Sequence, residues 1–323
     1  MNKLKFKLSA SFIALLISPM AFSEDKYPEK PITMIVGFAA GGPTDQAARI
    51  IAQGMENNLG QQFVIENKPG ANSTLSIKAL HLSKPDGYTV LIASNGVLTV
   101  AGARYKNFPF DANKDFVPIG MAAGYSHVLV VPENSKYTDV KSIISNADKD
   151  FPSISSVGNV DELTIALFQK LTNKKLNTIP YKGQSAVIPD LVSDRVNMAF
   201  LAPNVAKPLV ESGKLKALAV SGTKRIESFS DIPTMEEAGV KGFDVEIWNA
   251  LVAKPGTPVY VIDKLNNALK NSVNNPEVIK KLSTSGFITY PTDSKFLSGR
   301  IESEGNKWNQ LVKTSNIEVV DFK

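Results

Sequence analysis

The chain passes repeatedly from a short apolar strand, through a few small residues, directly into a helix. The first junction reads ITMIVGFAAGGPTDQAAR over residues 32–49, where the strand breaks at Gly41, Gly42 and Pro43. Glycine permits backbone angles that other residues avoid, and proline suits the first helical position because its missing N–H would be unpaired anyway. The helix N-terminus, with unpaired N–H groups and the positive end of its dipole, then faces the end of a strand. An anion can be held there without a basic side chain.

Four further junctions place serine, asparagine or glycine where a strand gives way to a helix. They lie at residues 94–96, 155–159, 181–184 and 202–204. Each one alone also fits an ordinary cap or turn, because these residue types are the ones that caps and turns require. Together they predict a cleft in which hydroxyls, side-chain amides and backbone N–H groups converge.

The alternation of strands and helices predicts an α/β fold with mostly parallel sheets covered by helices on both faces. Such sheets bind ligands at the carboxyl ends of their strands. The strand pattern starts again near Ala123, and the tail from Asp231 returns to a different composition. We therefore expect a first lobe over residues 24–123, a second lobe over 124–221, and a C-terminal part over 222–323 that completes the first lobe.

The N-terminus has the pattern of a secretory signal peptide. Lys3, Lys5 and Lys7 precede an apolar run over residues 8–20, and the small-x-small sequence of residues 21–23 follows. The run is short for a membrane span, and no later segment approaches about 20 apolar residues. We expect cleavage near Ser23 and a periplasmic mature protein; a retained N-terminal anchor is the alternative.

Charge and cysteine content narrow the class of protein further. Loss of the three signal lysines would bring the formal net charge from +5 to +2, and no basic run marks a nucleic-acid surface. The chain contains no cysteine, which excludes disulfides and lipid attachment through cysteine. A large core must therefore hold about 300 mature residues together.

Known catalytic and metal-binding patterns are missing from the sequence. His81 and His127 have no acidic residue at metal-ligand spacing, and the chain lacks a G-x-S-x-G elbow and the glycine patterns of nucleotide sites. We expect no metal, no cofactor and no enzymatic activity. Lys182, beside a turn glycine, fits either a solvent-exposed position or a partner for a ligand anion.

Several short motifs recur in a fixed order along nearly the whole mature chain. They are YPEKPI at residues 27–32, GGPTD at 41–45, ENKPGA at 66–71, PDGYT at 85–89, PYKG at 180–183, DIPT at 231–234, EAG at 237–239 and AKPGTP at 253–258. In this order and spacing the chain resembles the extracytoplasmic solute receptors of tripartite tricarboxylate transporters, also called the Bug family.

The resemblance implies a two-lobed periplasmic binding protein fold of type II, with a ligand cleft between the lobes. It implies a monomer without cofactor that captures a small carboxylated solute, an organic acid or an amino acid, and passes it to an integral membrane permease. Carried over onto this sequence, the ligand-binding residues are Phe38, Ala40, Gly41, Thr44, Asp45, Ser94, Asn95, Ser156, Asn159, Tyr181, Lys182, Gly183 and Asn204.

The chain departs from the family pattern in the second lobe. Family members carry a Gly-x-Gly-Ser-type loop followed by histidine where this chain has residues 158–162, and a second glycine where it has Gln184. Asp161 and Glu162 either favour the helix dipole as first-turn residues or select a ligand that also carries an amine. Two other functions stay open: a receptor for a membrane signalling kinase and a periplasmic enzyme acting on carboxylates.

Overall fold

The structure is a computed structural model that describes residues 26–70, 73–290, 293–314 and 318–322. The predicted signal peptide and its cleavage site lie outside these residues. Within the described ranges, no helix combines the length and the apolar character that a membrane span needs.

Strands and helices alternate along most of the chain. The strands are β1 Ile32–Val36, β2 Phe63–Asn67, β3 Thr89–Ser94, β4 Tyr105–Lys106, β5 Val117–Tyr125, β6 Val128–Pro132, β7 Ser153–Ser156, β8 Asn177–Pro180, β9 Ala199–Leu201, β10 Leu215–Val220, β11 Ile247–Ala253, β12 Ile288–Thr289 and β13 Val320–Asp321. The α-helices are α1 Pro43–Leu59, α2 Thr74–Leu82, α3 Ala101–Arg104, α4 Val140–Asp150, α5 Gly158–Thr172, α6 Gln184–Val192, α7 Pro203–Glu211, α8 Val259–Val273, α9 Pro276–Thr284 and α10 Ser294–Thr314. A π-helical turn at Gly96–Val100 links β3 to α3, and a 3₁₀ turn lies at Glu227–Phe229.

The first lobe is built on a six-stranded sheet with the order β12-β5-β11-β3-β1-β2. β1 pairs in parallel with β2 and β3, as the strand–helix alternation predicts. β11 lies between β3 and β5 and is antiparallel to both. The chain therefore returns to the first sheet after building the second.

The second lobe contains the antiparallel sheet β10-β6-β9 and the parallel pair β7-β8. A bridge between Ile154 and Met198 joins the two groups. The α/β, two-lobed fold with mostly parallel sheets is confirmed, because β1, β2, β3 and β5 run in one direction in the first lobe and β7, β8, β9 and β10 do so in the second. The strands that run the opposite way include β6 and β11, each of which follows a crossing between the lobes.

Two crossing segments join the lobes side by side. Ser221 N donates to the His127 carbonyl and His127 N donates to the Ser221 hydroxyl, both at 2.9 Å. The same hydroxyl donates to the Val245 carbonyl at 2.7 Å. These bonds tie the connection between β5 and β6 to the connection between β10 and β11. The residue boundaries predicted for the lobes stay a prediction; Ile226 and Phe229 still pack in the core of the second lobe.

Candidate functional site

Among the described helices, seven α-helices start without a side-chain cap, and four of these starts contain or adjoin predicted ligand-binding residues. These four belong to α1, which follows β1 in the first lobe, and to α5, α6 and α7, which follow β7, β8 and β9 in the second. By contrast, Asp139 caps α4 and Asn275 caps α9 through their side chains. Because the first N–H groups of a helix have no partner within the helix, these uncapped starts leave donors for an external acceptor.

The helix starts of the two lobes face one another. Asn204 Nδ2, in the first turn of α7, donates to Gln46 Oε1 of α1 at 3.0 Å. The hydroxyl of Tyr105, in β4, donates to Asn159 Oδ1 in the first turn of α5 at 2.6 Å. The lobes therefore meet directly at these helix starts.

Three buried amide atoms near these helix starts have no hydrogen-bond partner. They are Asn95 Oδ1, Asn204 Oδ1 and Asn249 Nδ2. Asn95 and Asn249 are themselves fully buried. An unpaired buried polar atom costs about 1–3 kcal/mol. Four further side-chain atoms lack a partner elsewhere in the described chain, namely His81 Nε2, His127 Nδ1, Ser228 Oγ and Trp308 Nε1. The three amide atoms are therefore polar groups that a solute or an ordered water can satisfy.

Asn249 belongs to this group but was missed by the sequence reasoning. It pairs with Ser94 in the ladder between β11 and β3, and its Oδ1 accepts a hydrogen bond from the Thr44 hydroxyl at 3.3 Å. All seven residues of β11 are buried, and Asn249 is its one polar member. A single amide inside an otherwise apolar strand is a signal that could have found it.

Asp45 holds the glycine turn before α1. Its Oδ2 accepts from Gly41 N at 2.8 Å and from Arg49 Nε at 3.0 Å, while its Oδ1 accepts from Arg49 Nη2 at 3.1 Å and Asn67 Nδ2 at 2.8 Å. Burial alone would raise the pKa of Asp45, but these bonds outweigh it and the pKa is lowered. Gly41 has φ +78°, a conformation that favours glycine. Both oxygens of Asp45 are thus occupied by protein groups.

The other predicted residues of the first lobe differ in their exposure to solvent. Phe38, Ala40 and Gly41 are exposed, and the Phe38 carbonyl accepts from Asn67 Nδ2 at 3.0 Å. Ser94 is buried at the end of β3, and its hydroxyl has no hydrogen bond among the described residues. Ser94 therefore has a hydroxyl at the end of β3 that no described residue pairs with, and its contact with a ligand stays a prediction.

The remaining predicted residues of the second lobe differ in whether their side chains already have protein partners. Ser156 is buried at the end of β7, and its hydroxyl also has no hydrogen bond within the described part of the chain. The Tyr181 hydroxyl donates to Asp190 Oδ2 at 2.8 Å, while Gly183 forms the extended residue before α6. Lys182 is exposed and has no ion pair with any described residue. Contact of each with a ligand stays a prediction.

Asp161 in the first turn of α5 and His127 between β5 and β6 form a buried pair. Asp161 Oδ1 lies 3.6 Å from His127 Nδ1, and Asp161 Oδ2 accepts from Val157 N at 2.9 Å. Burial raises the pKa of Asp161 to about 8 against the opposing effect of the Val157 N–H, and burial lowers the pKa of His127 to about 3. The pair is therefore uncharged overall at neutral pH. The contact with Val157 agrees with a first-turn role for Asp161.

Glu162 has a partner that neither sequence interpretation included. Its Oε2 forms an ion pair with Arg104 Nε of the first lobe at 2.7 Å. Among the described residues, no cluster of three or more histidine, aspartate or glutamate side chains is arranged to hold a metal ion.

Comparison with known proteins gives a consistent set of matches. The profile of the tripartite tricarboxylate transporter family receptor matches residues 47–317. BugT of Bordetella pertussis is 30% identical over 314 residues, which cover 95% of this chain and 96% of BugT.

Two solved structures from Rhodopseudomonas palustris are also similar to this chain. MatC with bound malate is 27% identical, with a TM-score of 0.79 over 88% of this chain and 100% of MatC. A second protein, with adipate, is 28% identical, with a TM-score of 0.83 over 90% of this chain and 98% of that protein.

Proposed function

Because the chain belongs to the tripartite tricarboxylate transporter receptor family, we propose that it captures a small carboxylated solute between its lobes and delivers it to a membrane permease. The observation that carries the proposal is the grouping of unpaired buried amide atoms beside uncapped helix starts from both lobes. The family and the similar solved structures consist of solute-binding proteins, which supports binding rather than catalysis.

The donors in the cleft suit a carboxylate. Thr44 and Asp45 lie in the uncapped first turn of α1, where backbone N–H groups point out of the helix. Asn249 Nδ2 adds a side-chain donor on the same wall. Arg49, the cation next to this turn, already forms an ion pair with Asp45. We therefore expect neutral hydrogen-bond donors to bind the carboxylate of the solute.

The unpaired acceptors suggest what else the solute carries. Asn95 Nδ2 donates to the Glu246 carbonyl at 2.9 Å and Asn204 Nδ2 donates to Gln46, which leaves an oxygen unpaired on each amide. A carboxylate cannot donate to these oxygens, whereas a hydroxyl, an amine or an ordered water can. We therefore favour a hydroxy or amino acid over a plain dicarboxylate. The similar structures do not decide this choice, because MatC holds malate, a hydroxy acid, and the second protein holds adipate, a plain dicarboxylate.

Capture would proceed by closure of the lobes about the two crossing segments. A solute that contacts both walls binds the closed form better than the open form and shifts the population toward it. The permease would then recognise the closed form. The ligand-binding set proposed from the sequence, extended by Asn249, supplies the contacts on both walls.

A thermal-shift and calorimetry screen tests the proposal. The protein is unfolded and refolded to remove any carried solute, then offered malate, succinate, adipate, aromatic acids and amino acids. At a hundredfold excess over its Kd, a ligand stabilises the folded protein by about 2.7 kcal/mol. Malate and succinate form a matched pair that differs by one hydroxyl, and we expect the hydroxylated or aminated acids to bind more tightly. Absence of any carboxylate hit would contradict the proposal, and chemical conversion of a bound acid would favour an enzyme.

A further inference from the structure

One segment of the first lobe makes several polar contacts with the start of α5. Arg104 Nε binds Glu162 Oε2 at 2.7 Å, and the Tyr105 hydroxyl donates to Asn159 Oδ1 at 2.6 Å. Arg104 and Glu162 are exposed by only 16% and 34% of their side chains. We call these four residues the clasp. Because its two halves lie on elements of different lobes, movement of the lobes apart would separate them.

The clasp differs from the surface ion pairs of this protein in its surroundings. Arg225 and Glu237 pair at 2.9 Å, but both side chains are nearly half exposed. Exposed pairs contribute little because water and salt screen them. A charge-assisted hydrogen bond with reduced solvent access is stronger, and a neighbouring neutral bond adds to it. The Arg104–Glu162 pair is therefore suited to hold two lobes together.

The C-terminal strand braces the first-lobe half of the clasp. β13 pairs in parallel with β4, which contains Tyr105, and the Arg104 guanidinium donates to the Glu318 carbonyl. The ring of Phe322 packs edge-on against Tyr105 with the ring centres 5.4 Å apart. Side chains that are already held lose less conformational entropy when they form a contact. These contacts of Glu318, β13 and Phe322, which we call the brace, therefore hold Arg104 and Tyr105 in the positions from which they contact α5.

The clasp also fixes a group at the candidate site. Asn159 is buried in the uncapped first turn of α5, and its Oδ1 is taken by the Tyr105 hydroxyl. Its Nδ2 has no hydrogen bond among the described residues. The remaining donor of Asn159 is therefore available beside the helix start, where an anion is favoured.

We propose that the clasp of Arg104, Tyr105, Asn159 and Glu162, braced by the C-terminal strand, favours lobe closure before solute binds and orients the Asn159 amide as a donor to the solute. The second half of this proposal rests on the proposed function; the first half does not. Arg104 and Tyr105 act as positioning residues. A receptor whose closed form is already populated binds solute with a higher apparent affinity, since less binding energy is spent on closure.

Single-molecule energy transfer between the lobes measures the open fraction directly. The chain has no cysteine, so K78C and K149C place dyes at two exposed positions without background labelling. In refolded protein without added solute, we expect Arg104→Gln or Glu162→Gln to raise the open fraction roughly tenfold, as loss of a hydrogen bond to a charged group predicts. The double variant should have the same open fraction as each single variant, because all three lose the same Arg104–Glu162 ion pair.

Matched variants separate the clasp from general effects. Arg225→Gln removes the exposed pair and should leave the open fraction unchanged. Tyr105→Phe should raise the open fraction, whereas Tyr137→Phe, which removes a hydroxyl bonded to Asp150 within the second lobe, should not. Phe322→Ala should raise it by loosening the brace. An unchanged open fraction in Arg104→Gln and Glu162→Gln, or additive effects in their double variant, would overturn the proposal.

Added acids test the solute-dependent half on the same labelled protein. Malate or adipate should close the Arg104→Gln variant, and Tyr105→Phe should weaken that response severalfold because Asn159 loses its fixed orientation. A closing response that is equal in Tyr105→Phe and in the parent protein would overturn the role of Asn159. Failure of every acid in the parent protein would instead contradict the proposed function, while the solute-free open fractions still decide the clasp.

Discussion

The Thr44 hydroxyl at the start of α1 donates to Asn249 Oδ1 on β11, across 205 positions of sequence. This bond brings the first strand–helix junction of the chain to the strand that returns from the second lobe. Asn249 Nδ2 is then left unpaired in a buried position. The C-terminal part of the chain therefore lies directly against the start of α1.

Asn249→Ala should reduce affinity for the solute at least tenfold and also lower stability. The substitution removes a donor that we assign to the solute, and it leaves a small cavity and takes the acceptor away from the buried Thr44 hydroxyl. Calorimetry with the best acid from the screen measures the first effect, and denaturant unfolding measures the second. Asn146→Ala on the exposed face of α4 is the control. Undiminished affinity in Asn249→Ala would remove Asn249 from the site.

Asp45→Ala should weaken solute binding and lower stability together. Its carboxylate holds Gly41, Arg49 and Asn67, so the substitution frees the turn that positions the start of α1. Lost hydrogen bonds to a buried charge cost about 1.5–3 kcal/mol each at most, and partial exposure of Arg49 reduces this. Circular dichroism checks that the fold remains, and calorimetry measures the affinity. Unchanged affinity would show that the solute does not depend on this turn.

The Asp161–His127 pair should make stability fall between pH 6.5 and 8. In this window the folded protein keeps a proton on Asp161, whose pKa is raised to about 8, whereas the unfolded chain has lost it. Each unit of pH then costs about 1.4 kcal/mol. His127 contributes the opposite slope only below about pH 6.5, because its pKa is lowered by burial. Between about pH 4 and 6.5 the two slopes cancel.

Asp161→Asn isolates this effect. An asparagine keeps the size of the side chain and an oxygen for Val157 N, but it cannot ionise. Urea unfolding of the variant should show no loss of stability between pH 6.5 and 8. The same slope in the variant and in the parent protein would assign the proton to another group.

The mature protein should begin at Glu24 and be recovered from the periplasm. The N-terminal pattern of lysines, apolar run and small residues predicts export and cleavage after Ser23. Intact-mass spectrometry of the periplasmic fraction measures the start of the chain. A mass that includes residues 1–23 would indicate a retained anchor.

Local sequence patterns predicted the helix starts well. The glycine–proline turn before α1 and the strand ends at Ser94 and Ser156 lie where the sequence placed them, because turns and caps depend on residues close in sequence. The antiparallel position of β11 was not predictable in this way. It depends on the path of the chain after it leaves the second lobe, which no local pattern records.

Polar side chains were harder to assign than helix starts. Asp45 has the expected first-turn position, yet both of its carboxylate oxygens accept hydrogen bonds from other residues of the protein. Glu162 forms an ion pair with Arg104 of the other lobe. Both outcomes depend on contacts between residues that only the folded chain brings together. Asn249 was missed because its strand carries no turn or cap pattern.

A crystal structure with the acid that gives the largest thermal shift shows directly how the solute is held. We expect a carboxylate between the lobes, with its oxygens about 2.7–3.2 Å from first-turn N–H groups of α1 or the second-lobe helices, and with the free amide atoms of Asn95, Asn204 and Asn249 bonded to solute or water. A carboxylate held by lysine or arginine side chains outside the cleft would contradict this expectation.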